Sequence, residues 1–179
     1  MPTAAQLGVG AAAAAVVTAA RLALLSSWPD FREATERSNV AALSRLDYAD
    51  LLWVATLPAM SEELLFRGAL LPAVYPDWCA ARPWRLAEEL RARPCRTGLP
   101  SPTRPPVCRR GVLVSGAVFG ALHNTGGGRN AAFAAWAAGV GCVYGGTALL
   151  TGSIWAPVAA HALANAAAGA LWMRQRRGE

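Results

Sequence analysis

Long apolar runs alternate with short polar ones along the chain, and most of the runs have the length of membrane-crossing helices. Residues 4–26 are interrupted by a single charge, Arg21, and are long enough to span a hydrocarbon core of roughly 30 Å. Arg21 lies near the end of that run, where its apolar stem can carry the charge along the helix to the interface. Residues 29–50 carry Asp30, Arg32, Glu33, Glu36, Arg37, Arg45, Asp47 and Asp50, a pattern that predicts a polar, helical surface segment. Residues 51–73 are apolar again, yet hold Glu62, Glu63 and Arg67 in their middle. Residues 111–122 are apolar and small, and a Gly-rich turn with Gly126, Gly127 and Gly128 follows. Residues 131–151 and 153–173 predict two further spans, joined by a tight hairpin at Gly152 and Ser153. Between 79 and 110 the chain is rich in Pro, Arg and Cys and lacks apolar periodicity, which predicts an irregular loop.

The pattern divides the chain into four parts. Residues 1–28 form an N-terminal transmembrane helix and 29–50 a polar interfacial segment. Residues 51–173 form a core interrupted by the 79–110 insertion, and 174–179 a basic tail. The expected fold is all-α, a polytopic membrane bundle of about four to five transmembrane helices. If every segment from Leu51 onward spans, the insertion and the basic tail face opposite sides, against the positive-inside rule. Either residues 111–123 do not fully cross or the insertion is atypical.

Composition supports the membrane reading and removes several others. Of 179 residues, 54% are hydrophobic and 16% charged, against about 25% charged in an ordinary soluble domain. The mean hydropathy of +0.28 is too apolar for a disordered chain. There are 40 alanines and no lysine. Alanine favours helix but carries little transfer energy, so hydropathy averages understate the spans. The four cysteines, Cys79, Cys95, Cys108 and Cys142, show neither CxxC nor metal-ligand spacing and read as free thiols.

The net charge of +6 is local, because eight of the 17 arginines lie between Arg82 and Arg110. Without residues 79–110, nine arginines face nine acids and the balance is zero. No aromatic interleaving or helix-turn-helix pattern accompanies the arginines, so nucleic acid is not an expected partner. The expected surroundings are a lipid bilayer and a peptide or protein substrate within it.

Charges inside apolar helices mark functional sites by default, since each costs roughly 2.5–3.5 kcal/mol on insertion scales. Glu63 and Arg67 stand at i,i+4 with the acid first, the favourable orientation for a helical ion pair. Glu62 is then the unpaired carboxylate, the type of group that serves as a general base; the alternative is that all three form a purely structural ion-pair cluster. Phe119 and His123 share a helix face, and the small residues Gly116, Ala117, Gly120 and Ala121 would let another helix approach closely. His161 and Asn165 form an i,i+4 pair in an Ala-rich helix. Taken singly, His123 reads first as a helix cap and the His161–Asn165 pair first as interhelical hydrogen bonding. They are the chain's only two histidines, and both lie in apolar segments, which points to one shared site. Two His and a Glu are also adequate zinc ligands, although HExxH is absent.

The three pieces, Glu62-Glu63-x-x-x-Arg67, Phe119-x-x-x-His123 and His161-x-x-x-Asn165, in that order on apolar helices, resemble the pattern of the CPBP family (CAAX proteases and bacteriocin-processing enzymes, also called the Abi family). The surrounding wording, SEELLFRGALLP and GRNAAFAAWAAGVGCVYG, is similar to plant plastid-type members. The resemblance covers residues 29–173 apart from the insertion. It implies an intramembrane glutamic endopeptidase of a plastid membrane, with no metal and no cofactor. It also implies roles: Glu62 activates the attacking water and His123 helps to hold it. Glu63 is positioned by Arg67, Phe119 walls the site, and His161 with Asn165 stabilises the oxyanion. Glu62 can only accept when ionised and Asn165 can donate, a division that water attack on a peptide requires. The alternatives are a catalytically silent membrane scaffold of the same fold and a zinc-dependent membrane hydrolase.

Overall fold

Caps set where the helices begin. Thr3 opens α1 (Ala4–Ser27): its hydroxyl accepts from Gln6 N while the Gln6 side chain accepts from Thr3 N, a reciprocal capping box. Trp28 closes α1 and leads directly into α2 (Pro29–Leu43), where Pro29 takes the first turn, a position at which its missing N–H costs nothing. The acids Asp47 and Asp50 of the polar segment are a second capping box. Asp47 accepts from Ala49 N at 2.8 Å and Asp50 N at 3.0 Å, and Asp50 accepts from Asp47 N at 3.1 Å. They start α3 (Tyr48–Glu63), three residues before the apolar run itself begins.

The computed structural model describes residues 1–71, 106–124 and 130–178. Beyond α3 the helix continues as a π-helical segment, Leu64–Leu70, and is followed by α4 (Pro106–Leu122), α5 (Ala131–Thr151) and α6 (Trp155–Arg177). The expectations for residues 79–105 and for the Gly-rich turn at 125–129 lie outside the described residues. At its C-terminal end the insertion is shorter than expected, because α4 starts at Pro106 and not at Gly111. Proline is favoured in a first helical turn, so the proline content that suggested a loop does not stop a helix beginning there.

The described residues form an all-α bundle. α4 packs along α5, α1 along α6 and α3 along α6, and α6 also touches α2 and α5. Glycines permit the closest approaches. A Cβ on Gly120 would fall 2.5 Å from Ala134 O, and one on Gly116 would fall 2.9 Å from Ala138 O, so α4 and α5 touch backbone to backbone. Ala117 and Ala121 lie on the opposite, exposed face of α4 and take no part in that contact. The predicted hairpin joins α5 to α6: Gly152 closes α5 at φ 61°, a left-handed conformation that glycine adopts without strain.

Among the described residues, α1 and α5 are long and apolar enough to cross a membrane by length and composition. α3 has 16 residues and α4 has 17, while α6 has the length but carries His161, Asn165 and three terminal arginines. The outer face is apolar: on α3, Leu52 and Trp53 are each 61% exposed. A water-facing surface seldom groups large apolar side chains in this way.

Candidate active site

The first motif occupies the join between α3 and the π-helical segment. One residue is effectively added per turn in a π-helix, and such segments frequently occur at functional sites. Here the register places Glu63 and Arg67 in the interior, with no side-chain exposure at all, and leaves Glu62 29% exposed. Arg67 Nη1 donates to Glu63 Oε1 at 2.9 Å, and its Nη2 donates to the Gly141 carbonyl of α5. Three rings surround the guanidinium, with centroids 5.3 Å (Phe119), 5.7 Å (Phe66) and 5.8 Å (Tyr144) from Cζ, within cation–π range.

The second motif ends α4. Phe119 is buried against Phe66 in an edge-on contact of 4.9 Å and against the His123 ring at 4.3 Å. Nδ1 of His123 lies 2.7 Å from the Phe119 carbonyl. A carbonyl only accepts, so Nδ1 carries the proton and Nε2 is left with a lone pair in the neutral ring. Nε2 faces Glu62 Oε2 at 3.8 Å.

The third motif enters from α6, whose contacts with α1, α3 and α5 hold it at the centre. Nδ1 of His161 lies 3.0 Å from Glu63 Oε1. By the same reasoning His161 donates through Nδ1, and its Nε2 points to Glu62 Oε2 at 3.9 Å. The Tyr144 ring stacks on His161 at 4.8 Å with 29° between planes, and Asn165 lines the adjoining cavity with both histidines and Glu62.

All seven residues singled out in the sequence therefore border one site. Glu62 Oε2 is its focus, because that oxygen is shielded from solvent and has no hydrogen-bond partner among the described residues. Separations of 3.8 and 3.9 Å to two imidazole nitrogens are too long for direct hydrogen bonds and suit a single bridging water. One expectation changes. His161 Nδ1 is tied to Glu63 Oε1, so its Nε2 is an acceptor when the ring is neutral. It donates only as the imidazolium.

Two contributors carry no motif in the sequence, and a third has a different place from the one expected. Tyr144 supports both His161 and Arg67, and its signal was a lone polar-tipped ring in a Gly/Ala stretch of α5. The Gly141 carbonyl had no sequence signal. Arg21, read as reaching for the interface, instead lines the cavity with His123, His161 and Asn165. Among the described residues no group of three or more His, Cys, Asp or Glu has metal-holding geometry.

The described residues thus form an all-helical bundle with carboxylate, imidazole and amide groups gathered between apolar helices. The chain belongs to the type II CAAX prenyl endopeptidase Rce1-like family, whose model matches residues 44–167. No curated protein and no solved structure matches the chain. The family is one of proteases acting on peptides in the membrane. Its match begins after α2 and ends inside α6, so α1 and α2 lie outside it.

Proposed function

We propose that the protein is an intramembrane endopeptidase of the glutamic type, in which Glu62 activates water without a metal. The observation that carries this reading is the convergence of His123 Nε2 and His161 Nε2 on Glu62 Oε2 at 3.8 and 3.9 Å. Glu62 takes a proton from the water as its oxygen adds to the scissile carbonyl. The water's second proton is accepted by His123 Nε2, and His161 holds the water oxygen by donating through Nε2 as the imidazolium. Negative charge develops on the carbonyl oxygen, where the Asn165 amide is the available neutral donor. Collapse of the tetrahedral intermediate breaks the C–N bond, and Glu62 returns its proton to the leaving amine. Glu63 and Arg67 do not contact the substrate in this scheme; they fix the His161 tautomer. Phe119 forms the apolar wall that keeps the site dry. Plastid membranes are the proposed location, on the strength of the sequence wording around the motifs.

Glu62→Gln tests the proposal. Loss of a positioned base typically lowers rate by roughly 10²–10⁴, so cleavage of membrane peptides should fall by that much while the variant still folds. Cleavage at the wild-type rate would overturn the glutamic mechanism. Loss of activity on chelation, restored by stoichiometric zinc, would favour a zinc hydrolase.

A further inference from the structure

Three cavities open around the centre of the bundle, and among the described residues Arg21 alone lines all of them. The smallest, about 90 Å³, lies beside Phe119, His123, Tyr144 and His161. The second, about 270 Å³, contains Glu62, His123, His161 and Asn165. The third, about 400 Å³, runs away from the motifs between α1, α2 and α6, and its volume falls in the range of small-ligand sites. Arg21 therefore stands at the throat between the motif residues and a chamber that the family match does not reach.

The charges in this chamber are unbalanced. Arg21 and Arg32 both line it, against one carboxylate, Glu36. Glu36 Oε2 already accepts from Trp172 Nε1 at 2.7 Å. Among the described residues no hydrogen bond or ion pair holds the Arg21 guanidinium. An unpaired cation on an apolar helix is costly, and Arg21 lines all three cavities. Thr35 adds a second, independent signal: it is 2% exposed, lines the same chamber, and its hydroxyl has no hydrogen-bond partner among the described residues. The rest of the wall is mixed: Leu22, Leu25 and Leu171 are apolar, and Thr18, Ser26, Asn39 and Gln175 are uncharged polar residues. Such a chamber suits an apolar peptide segment carrying one anionic group.

We propose that Arg21 is a specificity-determining residue that binds a carboxylate of the substrate peptide, with the chamber between α1, α2 and α6 receiving the segment that carries it. The carboxylate is either the peptide's C-terminus or an acidic side chain, both of which the planar guanidinium fork takes in two parallel hydrogen bonds. This rests on the peptidase reading above, but its test measures binding and needs no turnover.

Three acetylated tripeptides serve as probes with the full-length protein in detergent micelles: trileucine free acid, trileucine amide, and the amide with a central glutamate. Calorimetry gives each Kd. The wild-type protein should bind one or both anionic peptides tighter than trileucine amide by roughly tenfold to a hundredfold, the range for a hydrogen bond to a charged partner. The acid prevailing identifies the C-terminus, and the glutamate peptide prevailing identifies a side chain. Arg21→Gln should abolish the preference, and Arg21→Lys should restore part of it. The wild-type comparison requires no variant, so a folding defect in Arg21→Gln does not shelter the idea. Equal or undetectable binding of all three peptides overturns it. So does preferential binding of phosphatidylglycerol where the peptides bind alike. A Glu62→Gln protein that cleaves normally would sink the glutamic reading while leaving these affinities to be judged separately.

Discussion

Glu63 Oε1 and His161 Nδ1 lie 3.0 Å apart in the bundle interior, joining residues 98 positions apart in the chain. The same oxygen receives Arg67 Nη1 at 2.9 Å, so one carboxylate oxygen fixes a cation from its own helix and an imidazole from α6. Adjacent carboxylates thus have different surroundings: Glu63 is sealed and engaged, while Glu62 is partly exposed and faces the two Nε2 atoms across a gap.

That difference separates their substitutions. Glu63→Gln removes the carboxylate paired with a fully buried Arg67, and breaking a buried pair from one side costs roughly 3–5 kcal/mol. Glu62→Gln breaks no hydrogen bond among the described residues, and its cost should stay within about 0.5 kcal/mol, as for substitutions away from such networks. Thermal unfolding in detergent would rank them. Equal destabilisation would show that Glu62 is structural as well.

The two histidines should act as a unit. Each turns its Nδ1 to a fixed acceptor, Phe119 O or Glu63 Oε1, and its Nε2 to the same oxygen of Glu62. His123→Ala and His161→Ala should each lower kcat/KM by roughly 10²–10⁴. Groups that act together are strongly non-additive, so the double variant should lose little more than the worse single one. Losses that multiply would mean that the rings serve separate steps.

Tyr144 contributes through its ring. It stacks on His161 and borders Arg67, and it is 1% exposed. Tyr144→Phe keeps both contacts and should retain activity within severalfold. Tyr144→Ala opens a cavity, and losses of about 3–5 kcal/mol are usual for a large ring. If Tyr144→Phe instead matches the alanine variant in activity, the hydroxyl has a chemical role.

What was legible in the sequence was whatever violated its own surroundings. Glu62, Glu63 and Arg67 stand out because charge is scarce in an apolar run, and the i,i+4 spacing of Glu63 and Arg67 carries directly into their ion pair. His123 and His161 stand out for the same reason. Direction was harder to read. Arg21 has a stem long enough to reach either an interface or an interior, and only packing of α1 against α6 turns it inward. The small residues of α4 offer two faces, and helical spacing does not say that Gly116 and Gly120 meet α5 while Ala117 and Ala121 stay outside. The early starts of α3 and α4 follow from capping and from proline in a first turn, local effects that apolar periodicity does not register. Tyr144 and the Gly141 carbonyl act through contacts made between helices.

The α4–α5 contact gives a steric prediction that links packing to the site. A Cβ on Gly120 would meet Ala134 O at 2.5 Å and Ala138 Cβ at 2.6 Å. Neither backbone nor a methyl on a rigid helix can rotate away, so α4 must shift. Gly120 immediately follows Phe119 and lies three residues before His123, and both rings depend on that helix for position. Gly120→Ala should therefore destabilise by about 1–3 kcal/mol, as overpacking does, and also lower kcat/KM by displacing His123 Nε2 from Glu62. Gly139, one helix across, meets nothing within 4 Å of a built Cβ. Gly139→Ala should be neutral or gain up to about 1 kcal/mol from helix propensity, with activity unchanged. Unfolding midpoints and cleavage rates of the two variants provide the comparison. A Gly120→Ala protein as stable and active as Gly139→Ala would mean that the close contact of α4 with α5 does not position the histidine.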